Sequence, residues 1–243
     1  MLSVVCWKWG GVFSALYVNR LKLALRKHLQ LEHQLCCVTD DPTGIDLDVQ
    51  LLPIRVFTDT PRCRRRMKQY DADFASLIGR RILSIDLDVV LTDDITPLVD
   101  RPEPIVCWKV GYARVFSGSF VLYNHDALHG LYEAYARDPI GFPHMVQPRG
   151  VPSDQAMLNH YINAQRIRVA CWTERDGIVT YFGKGYERFA HLGVGPSQPK
   201  LPRGARLVVL GSADKAVMDE GSYPWIREHW SSLGGVPQAE ASL

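Results

Sequence analysis

Two aspartates one residue apart, Asp86 and Asp88, interrupt the apolar segment Ile82-Leu83-Ser84-Ile85-Asp86-Leu87-Asp88-Val89-Val90-Leu91. Side chains alternate faces along a strand, so both carboxylates point to the same side while Leu87 points into the core. Two parallel carboxylates at a strand end suit a hard divalent cation, Mn²⁺ or Mg²⁺, that keeps positions open for phosphate oxygens. The chemistry would be neutralisation of a leaving diphosphate without donation of a proton. The same spacing also describes a strand that ends in solvated aspartates. Apolar residues on both sides weigh against that reading, because carboxylates inside a buried element are costly without a partner.

A second chemical feature is the run Arg62-Cys63-Arg64-Arg65-Arg66-Met67-Lys68, five cations in seven residues. Such a run reads either as a solvated helix face or as a site for an anionic surface: lipid, a polyanionic glycan or a nucleic-acid backbone. Trp7, Trp9, Trp108 and Tyr112 fall at expected strand ends, where they either stack on sugar rings or edge the core. The eight histidines show no metal-binding spacing, and no GxSxG elbow, Walker loop or GxGxxG fingerprint occurs.

Positioning these residues requires alternating strands and helices. Apolar patterning predicts strands over residues 2–7, 34–38, 49–54 and 81–85, a helix over 13–31, and a helix or helical turns over 63–78. Further strands are expected at 105–109 and 116–123, a helix at 124–136, a Gly- and Pro-rich loop at 139–152, and a helix at 153–163 entered through a Ser/Asp cap. Short strands at 169–173, 178–181 and 206–210 and a helix at 224–230 complete the chain, with a frayed tail from residue 234. The alternation implies an α/β fold with a largely parallel sheet, in one domain over residues 1–233 followed by a flexible tail.

Composition fits that picture. The 243 residues are 47% hydrophobic and 22% charged, enough for one sizeable core. A net charge of +2 gives no bulk attraction for nucleic acid. No apolar run approaches the roughly 18 residues that span a bilayer, and the start lacks signal-peptide features, so a cytoplasmic protein is expected. Six cysteines without a CxxC pair point to reduced, mostly buried thiols.

The order of motifs resembles the GT-A glycosyltransferases, in particular family 8 and its bacterial and phage-encoded relatives. The resemblance rests on Val5-Cys6-Trp7-Lys8-Trp9-Gly10 with Tyr17-Val18-Asn19-Arg20-Leu21, on Cys37-Val38-Thr39-Asp40-Asp41-Pro42-Thr43-Gly44, and on the segment around Asp86 and Asp88. Phe116-Ser117-Gly118-Ser119-Phe120-Val121-Leu122-Tyr123-Asn124 and Ser153-Asp154-Gln155 extend it, to roughly residue 165.

The resemblance implies a GT-A, Rossmann-like mixed sheet and a nucleotide-sugar donor, UDP rather than GDP. It places Cys6, Trp7 and Lys8 under the base. Tyr17 would stack or hydrogen-bond there, or stand as a core tyrosine. Asp40 and Asp41 would face base or ribose, or merely cap a turn. It assigns Asp86 and Asp88 to the metal, with Asp86 also near the ribose, Arg66 to the diphosphate, and Asp154 and Gln155 to the anomeric carbon, unless the last two only begin a helix. The family carries a late His-x-x-Gly-x-x-Lys-Pro segment whose histidine completes the metal site and whose lysine meets a phosphate. Here that region reads Val208-Val209-Leu210-Gly211-Ser212-Ala213-Asp214-Lys215-Ala216: Lys215 remains and the histidine does not, so metal binding is either weaker, completed by Asp214 or His191 instead, or lost. Ser117 likewise stands where the family has asparagine.

The expected activity is transfer of a sugar from a nucleotide diphosphate to a glycan, lipid-linked or nucleic-acid hydroxyl, with retention of configuration. Inversion would need a carboxylate base, Asp154. Two alternatives stand beside it: a phage-type enzyme acting on modified DNA bases, and a degenerate nucleotide-binding subunit without activity.

Overall fold

The computed structural model describes residues 1–54, 62–109, 115–183, 186, 189, 192–211 and 214–234. The expected tail beyond Gly234, His191 and Tyr112 lie outside these residues. Its centre is β1 (Leu2–Lys8), whose seven residues are all buried because strands flank it on both edges and other elements cover both faces. β2 (His33–Thr39) and β3 (Gln50–Pro53) extend the sheet on one side, and β4 (Arg81–Ile85) adjoins β1 on the other, all four parallel.

Beyond β4 the sheet becomes mixed. β7 (Phe116–Asn124) runs antiparallel to both β4 and β6 (Ile105–Lys109), and β8 (Ala170–Trp172) closes the edge parallel to β6, giving the order β3-β2-β1-β4-β7-β6-β8. A second sheet, β5-β10-β9, is built from Val89–Leu91, Leu207–Val209 and Ile178–Thr180, and the short helix α3 (Thr96–Val99) follows β5. The apolar residues after the aspartate pair therefore belong to a different sheet from those before it, so residues 86–88 form the break between the two.

Alternation along β1 sorts the core. Val4 and Cys6 join the cluster under α1 (Ala15–His28), the small sheet and the C-terminal helical turns, whereas Val5 and Trp7 join the cluster on the other face. That second cluster packs a 3₁₀ helix (Arg62–Tyr70), α2 (Ala72–Ile78), α4 (His125–Arg137) and α6 (Asp154–Ala164). The helix expected over 63–78 is thus two pieces, broken where Asp71 is extended (φ −77°, ψ 140°) and its carboxylate takes the Lys68 ammonium. Gly79, at φ 92°, ends α2 in a conformation that a side chain would disfavour.

The expected loop over 139–152 contains a short helix, α5 (Gly141–Val146), whose Pro143 lies in the first turn, where its missing N–H is not needed. The Ser153 cap of α6 is as expected: its Oγ accepts from Ala156 N at 3.1 Å. Between β10 and the C-terminal turns lies α7 (Lys215–Asp219), and α8 (Pro224–Ile226) runs into a π-helical turn (Arg227–Ser231). No described helix is long and apolar enough to cross a membrane.

Candidate active site

The chain at the break between the two sheets is held from both sides. Asp86 N donates to Ser119 O on β7 at 3.0 Å, and Leu210 N, just past β10, donates to Asp88 O at 2.9 Å. Leu87 is buried in the core, as alternation requires. The Asp88 carboxylate is only 8% exposed and has no ion-pair partner among the described residues. Burial, then the neighbouring Asp86 carboxylate, pushes the Asp88 carboxyl up to about 7, and Asp214 adds to the same effect. A buried carboxylate crowded by like charges is what a divalent cation would relieve, so Asp86 and Asp88 fit a metal. Among the described residues, however, no three His, Cys, Asp or Glu side chains converge on one ion position.

Arg66 lies beneath this pair rather than out over the cleft. At 8% exposure its guanidinium donates to Asp86 Oδ1 at 2.5 Å and to Gly118 O at 2.6 Å, and its Nε stands 3.1 Å from Asp154 Oδ2. Burial alone would lower the Arg66 pKa, but the Asp154 and Asp86 carboxylates more than reverse it. Burial pushes the Asp154 carboxyl up, with Arg66 opposing. The arginine expected at the diphosphate therefore spends its three faces on two acids and a strand carbonyl.

Gln155 follows at the start of α6, and its Oε1 accepts from Gly118 N at 3.0 Å. Helix and strand come this close because residue 118 has no side chain: a Cβ there would stand 3.3 Å from Gln155 Cβ. Asn159, one turn on, locks the approach. Its Oδ1 accepts from Phe116 N at 2.7 Å, and its Nδ2 donates to Phe116 O at 2.9 Å and to Gln155 O at 2.8 Å. Sequence reading overlooked Asn159, although a helical asparagine four residues after Gln155 is the signal that could have exposed it. With Ser117, Ser119, Trp108, Tyr186 and Asp214, Gln155 lines a cleft of about 400 Å³.

A larger cleft of about 910 Å³ opens past the end of β1, lined among others by Lys8, Phe13, Asn19, Arg20, Asp41 and Asp46. Lys8 is buried and its Nζ donates to Asp41 O at 2.8 Å. Asp40 accepts from Gly10 N at 3.0 Å and Asp41 from Thr43 N at 3.0 Å, so both carboxylates brace turns at the cleft wall. Three residues assigned to the base behave differently. Cys6 is fully buried opposite Cys37, and Trp7 is stacked on Phe74 with ring centroids 6.1 Å apart, on the sheet face away from α1.

Tyr17 is 1% exposed and boxed in. Its ring lies 5.0 Å from Phe13 and 5.1 Å from Trp230, with the Lys215 ammonium 5.0 Å from its centre, and its hydroxyl donates to Asp219 Oδ1 at 2.5 Å. No ring face is left for a base, and the aromatic that reaches the cleft is Phe13. Burial and the Asp219 bond push the Tyr17 hydroxyl up, and the Asp88 carboxylate contributes.

Over Arg64–Lys68 the basic run is not a solvated cationic face. Arg66 is buried, Arg64 donates to Pro139 O at 3.4 Å, Arg65 lies over Trp9 at 6.0 Å, and Lys68 pairs with Asp71 and lies over Tyr132 at 4.9 Å.

No family model and no curated protein matches the chain by sequence. Among solved structures, the galactosyltransferase LgtC, determined in complex with donor and acceptor sugar analogs, matches with a TM-score of 0.62 over 97% of this chain and 98% of that one, at 16% identity. The glycosyltransferase GlyE in Streptococcus pneumoniae TIGR4 matches with a TM-score of 0.56 over 79% of this chain and 49% of that one, at 14% identity. The mixed, mainly parallel sheet flanked by helices is thus the LgtC glycosyltransferase fold. At such identities the likeness is one of fold, and chemistry has to be argued from the site.

Proposed function

We propose that the protein is a family-8-like glycosyltransferase that moves a sugar from a nucleotide diphosphate donor, UDP-linked, to a hydroxyl acceptor with retention of configuration. The observation that carries this reading is the Asp88 carboxylate, buried and without an ion-pair partner among the described residues, beside Asp86 at the junction of two sheets in a glycosyltransferase fold. Asp86 and Asp88 would hold Mn²⁺ or Mg²⁺, whose contribution when bound is to neutralise the departing diphosphate.

The remaining work falls to the chain itself. Arg66 fixes the Asp86 carboxylate and occupies Asp154, so Asp154 is poorly placed to serve as a general base. That favours retention, in which the diphosphate oxygen takes the acceptor proton, over inversion. Gln155 spends its Oε1 on Gly118 N, which leaves its amide nitrogen to donate into the 400 Å³ cleft toward the donor sugar. The clefts divide the labour: the larger takes the nucleoside between Phe13, Lys8 and Asp41, and the smaller takes the sugars.

The arrangement gives a DNA-base acceptor no support, since Arg64, Arg65, Arg66 and Lys68 of the basic run are engaged within the protein. The test is release of UDP from UDP-glucose, UDP-galactose and UDP-N-acetylglucosamine with Mn²⁺. Metal-dependent release that Asp88→Asn abolishes is expected. UDP binding without metal and without turnover of any of these donors would instead identify a non-catalytic subunit.

A further inference from the structure

Lys215 and Asp219 are the first and last residues of α7, and their side chains form an ion pair, 28% and 44% exposed. Each charge sits at the wrong end of its helix: the cation meets the partial positive N-terminus and the anion the partial negative C-terminus. Lysine four residues before an acid is also the weaker order for such a pair. Helix stability alone does not account for the arrangement.

Its position does. Asp214, the residue before Lys215, lines the 400 Å³ cleft. Phe13, Leu16 and Arg20 of the segment around Tyr17 line the 910 Å³ cleft. The Lys215 ammonium rests over the Tyr17 ring, and the Tyr17 hydroxyl donates to the same carboxylate that holds the lysine. One anion therefore receives both a cation and a hydroxyl donor, with chain neighbours of each partner on the walls of the two clefts. Burial pushes the Asp219 carboxyl up, but the bonds from Lys215 and Tyr17 outweigh it and keep it below the usual range, so it is ionised at neutral pH.

We propose that Asp219 is a stand-in for a substrate phosphate: in the free protein it neutralises Lys215, and a nucleoside diphosphate spanning the two clefts takes Lys215 over from it. This rests on the donor reading above. Asp219 is then a positioning residue that sets donor affinity, because the fraction of molecules with Lys215 available scales the apparent affinity. The pair is partly solvated, so its release costs little and the exchange is reversible.

The test is calorimetric titration of UDP with Mn²⁺, and of uridine as a phosphate-free control, into the wild type, Asp219→Asn, Lys215→Met and the double variant. Removing the competitor should tighten UDP binding about three- to fivefold in Asp219→Asn, the range an exposed ion pair supports. The gain should vanish in the Lys215→Met background, and uridine affinity should not change. A tightening cannot come from misfolding, and Asp219→Ser repeats the test should the amide disturb the short helix. Wild-type UDP binding that Asp219→Asn and Asp219→Ser leave unchanged or weaken overturns the role of Asp219 and spares the donor reading. A wild type that binds no UDP removes both.

Discussion

The Arg66 Nε lies 3.1 Å from Asp154 Oδ2 while the same guanidinium reaches Asp86 Oδ1 at 2.5 Å, so one buried cation ties the start of α6 to the acidic break after β4. Removing it would leave two acids, one of them deeply buried, without their counter-charge. Such a loss costs about 3–5 kcal/mol where both partners are desolvated. Arg66→Met is expected to lower the thermal midpoint by several degrees and to weaken UDP binding, whereas Arg64→Met, at a half-buried position, changes neither by much. Thermal melts of the two variants side by side check this.

The Asp88 carboxyl, raised to about 7 by burial and by Asp86, makes the free protein sensitive to pH in a defined direction. A carboxyl with a raised folded pKa binds its proton more tightly when folded. Its contribution is therefore fully present below the ordinary carboxylate range and is lost as pH rises through about 7. Asp88→Asn should match the wild type in thermal stability near pH 4 and exceed it at pH 8. Melting curves of both proteins across that interval measure the difference, and Mn²⁺ at pH 8 should restore the wild type but not the variant.

Asn159 contacts neither cleft directly, yet it satisfies both backbone groups of Phe116 and the Gln155 carbonyl. Asn159→Ala removes these three bonds from a part-buried setting, at about 1–3 kcal/mol for each Phe116 backbone group that stays dry. A clear drop in stability is expected, together with a loss of turnover larger than the loss of UDP affinity, because Gln155 lines the cleft proposed for the sugars. Comparing kcat with KM on a competent donor separates the two effects.

Much of this was legible in the residues. The β1 run Leu2–Lys8 and the strand Arg81–Ile85 that leads to the aspartates were readable from apolar patterning, and alternation along β1 sorts its side chains between the two faces. The Ser153 cap was equally readable, since capping chemistry is local. What escaped is non-local. Nothing near Tyr17 announces that Asp219, two hundred residues away, claims its hydroxyl, and a basic run gives no hint that Arg66 turns inward while its neighbours find partners on the surface. The separate strand Val89–Leu91 was hidden for the same reason: its partner is β10, far along the chain.

The central claim is that Asp86 and Asp88 bind a nucleotide diphosphate through a divalent cation. Its most direct measurement is calorimetric titration of UDP into the protein with Mn²⁺, repeated with EDTA and with Asp88→Ala. The account expects saturable binding with Mn²⁺ that both EDTA and the substitution abolish. Binding of UDP that survives EDTA and Asp88→Ala alike would contradict it and return the paired aspartates to a structural role.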